Sequence, residues 1–209
     1  PAPSPAAAAN RHAGTASGEY LLFLGGDTEI VHPDWIETLL MYAEIPSVGI
    51  VGPQLVNPDG RVRQAGFAVR RRERNGGARM AWWHGRSPAE PLMRGAPGGG
   101  DGYYGSLSCA REVTATSASC MVVERSTFER LGGFSEEYRS EYHDVDLCLR
   151  ARELGLDVAY VPEPRVISHA SAAPRREDMV DRALFVDSWF ERLDRGDPYL
   201  DDRLDPVMR

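Results

Sequence analysis

The sequence contains no lysine, so all 24 of its basic residues are arginine. This absence excludes mechanisms that need a lysine Schiff base, and it also excludes the phosphate-binding lysine of a P-loop. Cysteine is scarce as well, and Cys109, Cys120 and Cys148 stand far apart without a CxxC pair or a Cys/His cluster. An odd number of cysteines without a framework predicts buried, reduced thiols of the kind found in the cytoplasm.

Long apolar runs are missing too. None approaches the roughly 20 residues that cross a bilayer, and residues 1–9 have neither the charged start nor the apolar core of a secretion signal. We therefore expect a cytoplasmic location, with peripheral association at the inner face of a membrane left open. The net charge of −7 gives no electrostatic basis for binding nucleic acid.

Short apolar runs and helical patterns alternate along the chain and predict a mixed α/β domain. The predicted strands are 19–24, 48–51, 54–56, 62–64, 119–124, 158–161 and 166–167, and the predicted helices are 33–43, 126–131, 144–154 and 177–193. The first strand has the continuous apolar pattern of a strand buried on both faces, which is typical of parallel sheets. Only an alanine-rich stub precedes it. Residues 57–60 (Asn-Pro-Asp-Gly) predict a hairpin turn.

Residues 70–105 have little periodicity and predict a long loop of the kind that forms lids, binding loops or disordered segments. The aromatic group 82–84 within it either stacks on a sugar ring or fixes the loop to the core. The arginine run 70–74 reads as a solvated charge run, with contact to an anion as the alternative. We expect one domain over residues 1–195, followed by a polar tail over 196–209.

Asp27 comes directly after the first predicted strand. Its carboxylate is therefore expected at the carboxyl edge of the sheet, where open α/β sheets bind ligands. A carboxylate there suits Mg²⁺ or Mn²⁺ bridging the phosphates of a nucleotide. The alternative is that Gly-Gly-Asp-Thr is only a turn.

Asp144 stands at the predicted start of a helix. A carboxylate at this end is stabilised in its ionised form by the helix dipole, so it could act as a general base for an attacking hydroxyl. The alternative is that it caps the helix. Asp146 is expected to have a structural role, because it can pair with Arg150 at i, i+4.

His169 follows an apolar strand within the sequence Ser-His-Ala-Ser. A neutral imidazole could complete a metal site. The alternative is a strand-end residue with no ligand.

Segments spread over nearly the whole chain, all in one order, together resemble glycosyltransferase family 2. The likeness is closest to its branch of bacterial surface-polysaccharide transferases. The segments are Ala9–Gly14, Ala16–Leu24, Asp27–Ile30, Pro33–Trp35, Val48–Gly52, Pro58–Gly60, Gln64–Gly66, Gly102–Gly105, Leu131–Phe134, Asp144–Arg150, Gly155, Val161–Pro162, His169 and Asp197–Tyr199.

The resemblance implies a role for each matching residue. Asp27 would be the second Asp of a DxD motif that touches metal and diphosphate, and His169 would complete the metal site. Asp144 would deprotonate the acceptor hydroxyl in an inverting displacement. Asn10 would lie near the nucleotide, and the residues lining the sugar pocket would be Ser117, Ala118 and Ser119.

The resemblance also implies a GT-A fold: a mixed, mostly parallel sheet flanked by helices, here without the first βαβ part that binds the nucleotide. The implied activity is metal-dependent transfer of a sugar from a UDP-, dTDP- or GDP-sugar to a glycan or lipid-linked acceptor. The implied ion is Mg²⁺ or Mn²⁺.

Three positions depart from the family pattern. Gly25 stands where the first Asp of DxD is common, His143 replaces an acidic residue, and Ser117-Ala118 replaces Thr/Ser-Gly. They keep open a second hypothesis, a degenerate domain that binds carbohydrate or a protein partner without catalysis. A third, a nucleotidyltransferase, is disfavoured because no glycine-rich N-terminal loop carrying Arg or Lys is present.

Overall fold

The computed structural model describes residues 3–71, 87–171 and 177–200. The helices in these ranges are α1 (Pro5–Thr15), α2 (Trp35–Ala43), α3 (Arg125–Arg130), α4 (His143–Glu153), α5 (Met179–Ser188) and α6 (Phe190–Arg195). The strands are β1 (Tyr20–Leu24), β2 (Thr28–Ile30), β3 (Val48–Val56), β4 (Val62–Gln64), β5 (Phe67–Val69), β6 (Ala89–Pro91), β7 (Arg111–Glu112), β8 (Cys120–Glu124) and β9 (Asp157–Ser168). Trp82, Trp83 and His84 lie outside the described residues.

A central sheet runs in the order β1-β8-β3-β9-β2, with β4 added to β3 and β7 to β9. The pairing of β3 with β9 is parallel, whereas the other pairings described in this sheet are antiparallel. The sheet is therefore mixed, as expected, but antiparallel pairs outnumber the parallel one. Two of these pairs are formed by β8, which lies between β1 and β3 and runs opposite to both, and the other three are formed by β2 and β7 with β9 and by β4 with β3.

The strand β1 lies at one edge of this sheet and is buried on only one face, which corrects the expectation that it is buried on both. It pairs with β8 along its full length, from Tyr20 opposite Glu124 to Leu24 opposite Cys120. The side chains of Leu22 and Leu24 remain 38% and 44% exposed. Side chains two residues apart share one face of a strand, and here the exposed face lines a cavity.

The stub expected before β1 is the helix α1. Ser4 caps it, since the Ser4 hydroxyl accepts a hydrogen bond from the backbone N–H of Ala7, and Pro5 occupies its first turn. Both features favour a helix start. Ala6 and Ala13 are buried in the main core cluster, so small side chains let the helix pack closely.

The C-terminal helix expected over 177–193 is broken into α5 and α6 at Trp189, whose φ is −111°. At this break the Trp189 indole N–H donates to Asp146 Oδ1 at 2.9 Å. Asp146 also accepts from Arg150 at 2.9 Å, which confirms the expected i, i+4 pair. The helix break thus satisfies a buried carboxylate on α4.

Long-range pairing explains two further differences from the expected elements. The strand β9 is continuous where two short strands were expected, and its register against β3 shifts between Pro53 and Gln54. Part of the expected long loop is ordered, since β6 pairs with β5. The thiols are all free, but Cys109 is exposed while Cys120 and Cys148 are buried.

The described start of the predicted tail contacts the domain. Asp197 accepts a hydrogen bond from the backbone N–H of Val69, and the Tyr199 hydroxyl donates to Glu112. The guanidinium of Arg152 lies over the Tyr199 ring at 4.8 Å. No helix in the described ranges has the length and apolarity that crossing a bilayer requires.

Candidate active site

A cavity of about 1020 Å³ opens along α1, β1 and the start of α4. Such a volume is at the upper end of small-molecule and cofactor sites. Its walls contain Ser117, Ala118, Ser119 and Asp144. Four of the residues singled out from the sequence therefore meet in one concave site.

Asp144 is the second residue of α4, and Tyr142, in a left-handed conformation, occupies the cap position before it. The carboxylate accepts hydrogen bonds from the backbone N–H of Val145 at 2.9 Å and of Ala118 at 3.2 Å. It therefore does not serve as the N-cap. These two donors fix the orientation of the carboxylate, which lines the cavity.

The turn at Ser117–Ser119 connects this carboxylate to the end of β1. Ser117 Oγ accepts from the backbone N–H of Ser119, and the Ser119 carbonyl accepts from the N–H of Gly25 at 2.9 Å. Asp144, the serine turn and the glycines after β1 thus form one hydrogen-bonded chain.

Asp27 and His169 lie at the ends of two paired strands, and the Asp27 carbonyl accepts from the N–H of His169 at 2.7 Å. Both side chains are exposed, and His169 Nε2 lies 2.7 Å from Glu29 Oε2. A β-carbon on Gly25 would lie 2.9 Å from Asp27 Oδ1, so the carboxylate folds against a glycine that lines the cavity. Within the described ranges, no three His, Cys, Asp or Glu side chains form a metal-binding cluster.

The side chain of Asn10 is hydrogen-bonded to the segment that follows Gly133. Its amide donates to the Phe134 carbonyl and to Glu136, and its oxygen accepts from the Phe134 N–H, each at 2.9 Å. Asn10 is not among the residues that line the cavity. These contacts connect α1 to the turn after Gly133.

Replacing Asn10 by Ala is expected to lower the free energy of unfolding by about 1–3 kcal/mol, because the Phe134 N–H and carbonyl lose their partner. Thermal or urea unfolding measures this loss, with Arg11→Ala on the same exposed turn of α1 as the control. An unchanged stability together with a raised KM for a nucleotide-sugar would instead favour the nucleotide-binding role inferred from the resemblance.

One functional candidate was not apparent from the sequence. Asp181 on α5 is fully buried and accepts hydrogen bonds from the backbone N–H groups of Arg139, Ser140 and Glu141 at 2.9, 2.8 and 2.9 Å. These three residues come just before Tyr142, the cap residue of α4. The carboxylate therefore fixes the segment that carries Asp144, over a separation of about 40 residues that no local pattern encodes.

Glu141 and Glu177 line the cavity together with Asp144 and form its acidic wall. The Tyr142 hydroxyl donates to Glu177 and lies 2.8 Å from Ser87 Oγ. Burial, together with the charges of Glu177 and Asp181, raises the pKa of Glu141. The wall near Asp144 is therefore rich in carboxylates.

Comparison with known proteins gives two kinds of match, although no protein-family profile matches the chain. It is 35% identical over 196 residues to the O-antigen biosynthesis protein RfbC of Myxococcus xanthus, a match covering 90% of this chain and 14% of that protein. It is 31% identical over 153 residues to the N-acetylglucosaminyl-diphospho-decaprenol L-rhamnosyltransferase of Mycobacterium tuberculosis, covering 69% of this chain and 45% of that protein. The chain thus spans less than half the length of either relative.

Two solved structures share the fold. GalNAc-T7 with UDP, GalNAc and Mn²⁺ matches with a TM-score of 0.61 and 13% identity, covering 91% of this chain and 36% of that one. The mannosyltransferase PcManGT from Pyrobaculum calidifontis, in complex with GDP-Man and Mn²⁺, matches with a TM-score of 0.52 and 16% identity, covering 97% and 45%. At these identities the likeness concerns the fold alone.

Proposed function

Because the chain is a family 2-like glycosyltransferase domain with a mixed α/β, GT-A-type fold, we propose that its cavity transfers a sugar from a nucleotide-sugar donor to a hydroxyl group. The observation that carries this proposal is the placement of Asp144. Its carboxylate lines the cavity and is hydrogen-bonded to Ala118 of the serine turn, which in turn bonds to the end of β1.

In this proposal Asp144 is the general base of an inverting displacement. Its carboxylate takes the proton of the acceptor hydroxyl as that oxygen attacks the anomeric carbon of the donor sugar from the side opposite the leaving diphosphate. Two backbone N–H bonds fix the orientation of the carboxylate and leave lone pairs for the incoming hydroxyl. The serine turn would line the sugar pocket beside it.

A divalent ion is part of the proposal, and the two side chains proposed to hold it have suitable donor atoms. Asp27 and His169 lie side by side at the strand ends and offer a carboxylate oxygen and an imidazole nitrogen. Mg²⁺ is commonly held by one or two carboxylates with substrate phosphates and water completing the shell, and imidazole is also a ligand for such ions. When bound, the ion would neutralise charge on the leaving diphosphate.

Replacing Asp27 by Asn or His169 by Ala is therefore expected to weaken Mn²⁺ activation of transfer by about tenfold or more. We take this magnitude from metal sites in general, where losing a residue that only hydrogen-bonds to a ligand already lowers metal affinity about 10–100-fold. Titrating Mn²⁺ into the complete protein at saturating donor measures the effect, and Asp34→Asn, at an exposed carboxylate just before α2, is the control. Identical Mn²⁺ titrations for wild type and both variants would contradict this metal site.

The relatives suggest the substrate class. One carries the name of an O-antigen biosynthesis protein and another that of a transferase acting on a lipid-linked diphospho-sugar. We extend this to the present chain as a proposal: a UDP-, dTDP- or GDP-sugar donor and a glycan or lipid-linked acceptor, used in polysaccharide biosynthesis at the cytoplasmic face of a membrane.

The direct test incubates the complete protein with these donors, Mn²⁺ and a membrane lipid extract. Donor-dependent labelling of a glycan or lipid product is expected. A lack of turnover for every donor would favour the alternative, a domain that binds carbohydrate or a partner without catalysis. Two observations support this alternative. His169 contacts Glu29, and no group of three metal-binding side chains is found among the described residues.

A further inference from the structure

The cavity has a basic wall as well as an acidic one. Arg63 on β4 and Arg94 just after β6 both line it. The segments that carry them are paired, since the Val62 N–H donates to the Ala96 carbonyl and the Gly95 N–H to the Val62 carbonyl, both at 2.8 Å. Two arginines on neighbouring segments therefore line one cavity.

The turn that presents Arg94 is held firmly. Met93 is buried and has a φ of 59°, a left-handed conformation that is rare outside glycine. The Arg61 guanidinium donates to the Gly95 carbonyl at 2.9 Å, and the Leu92 N–H donates to the Gly66 carbonyl at 2.8 Å. Strained backbone of this kind persists where the surroundings determine it and is concentrated at ligand sites.

Arg94 differs from its neighbours in its pairing. Arg61 lies 3.9 Å from Asp59, and Arg70 lies 2.5 Å from Glu90. Arg94 has an exposed side chain and, within the described ranges, no hydrogen bond or ion pair. In a chain with 31 carboxylates and 24 arginines, this cation faces the cavity without a described carboxylate.

A guanidinium at such a place suits a phosphate group, because its planar fork of N–H donors matches phosphate oxygens. Arg63 is anchored to the carbonyl of Ala170, beside His169, so the basic wall continues toward the proposed metal ligands. We propose that Arg94, with Arg63 beside it, binds a phosphate of a diphosphate-bearing substrate, while Asp144 takes the proton of the acceptor hydroxyl. This inference rests on the proposed function and names the chemical group that the basic wall recognises.

Two sources supply the same chemistry, the diphosphate of the donor and the diphosphate of a lipid-linked acceptor. The test measures calorimetric binding to the complete protein in EDTA, so that no metal contributes. The probes are inorganic pyrophosphate, UDP, GDP, farnesyl diphosphate and uncharged farnesol. The variants are Arg94→Gln and Arg94→Lys, with Arg130→Gln on the exposed end of α3 as the control for charge.

We expect Arg94→Gln to weaken pyrophosphate binding about tenfold or more, Arg94→Lys to weaken it less, and Arg130→Gln to leave it unchanged. A matching loss for farnesyl diphosphate, with no loss for the nucleotides, assigns the site to the acceptor. The reverse pattern assigns it to the donor. Equal pyrophosphate affinity in wild type, Arg94→Gln and Arg130→Gln would overturn the proposal.

The outcome is separable from that of the proposed function. Asp144→Asn is expected to retain Arg94-dependent binding of pyrophosphate, since Asp144 contacts no phosphate in this scheme. Intact binding in a protein that transfers no sugar would therefore contradict the proposed function alone. Transfer that proceeds without any dependence of binding on Arg94 would contradict the phosphate site alone.

Discussion

Replacing Asp144 by Asn is expected to lower kcat by a factor of about 10² to 10⁴, the usual contribution of a positioned general base. The amide is nearly isosteric, and its oxygen can still accept from the Ala118 N–H that now bonds to the carboxylate. Donor binding should therefore be retained while the proton of the acceptor hydroxyl loses its acceptor. Initial rates of transfer over a range of donor concentrations measure kcat and KM separately.

The matched control is Asp101→Asn, because Asp101 is exposed and does not line the cavity. It should keep the wild-type kcat. A wild-type kcat in Asp144→Asn would show that the base lies elsewhere. A fall confined to KM, with kcat unchanged, would mean that Asp144 binds substrate without taking the proton.

Replacing Asp181 by Ala is expected to cost about 3 kcal/mol or more of unfolding free energy, because three backbone N–H groups would lose a charged acceptor in a buried site. For a domain of this size each kcal/mol corresponds to roughly 2–4 °C in Tm. Calorimetry or thermal circular dichroism measures this change. Asp181→Asn keeps one acceptor oxygen and should lose less.

The control is Glu129→Ala, an exposed acidic residue on α3, which should shift the Tm by no more than about 1 °C. Transfer by Asp181→Asn, measured below its Tm, adds a readout of the segment before α4. We expect its kcat to fall while its donor KM holds, since the segment positions Asp144. A Tm equal to wild type in Asp181→Ala would contradict the stabilising role of the hydrogen bonds from residues 139–141 to Asp181.

The sequence predicts best where local signals determine the structure. The hairpin of β3 with β4 follows from Asn-Pro-Asp-Gly, the end of α4 follows from Gly155 with its φ of 78°, and the pair of Asp146 with Arg150 follows from helix spacing. Each depends on residues within a few positions of one another. The periodic and turn patterns record such contacts directly.

Long-range contacts explain most of what the sequence did not predict. The pairing of β8 with β1 joins segments about 100 residues apart, and with β3 it adds two antiparallel pairs to the sheet in the described residues. Asp181 likewise connects α5 to residues 139–141 by accepting hydrogen bonds from their backbone N–H groups. Such bonds carry no side-chain signature in the sequence. Asn10 was interpreted from a family resemblance, whereas its observed partners lie at residues 134 and 136.

The sequence predicted only part of the lining of the cavity. The resemblance named Asp144 and the serine turn, which the fold brings together at the cavity. Arg94 was not singled out, because an arginine among 24 becomes informative only when its neighbours and its lack of a described partner are known. The proposed roles of Asp27 and His169 stay predictions, since both lie at the strand ends beside the cavity rather than within its lining.

The most direct measurement is a crystal structure of the complete protein with Mn²⁺ and a nucleotide-sugar, with data collected at the manganese absorption edge. The account predicts an anomalous peak at Asp27, coordinated by the donor diphosphate, with the sugar lying over the Ser117–Ser119 turn and its anomeric carbon open to a hydroxyl held by Asp144. A nucleotide-sugar bound outside this cavity, or manganese bound away from both Asp27 and His169, would contradict it.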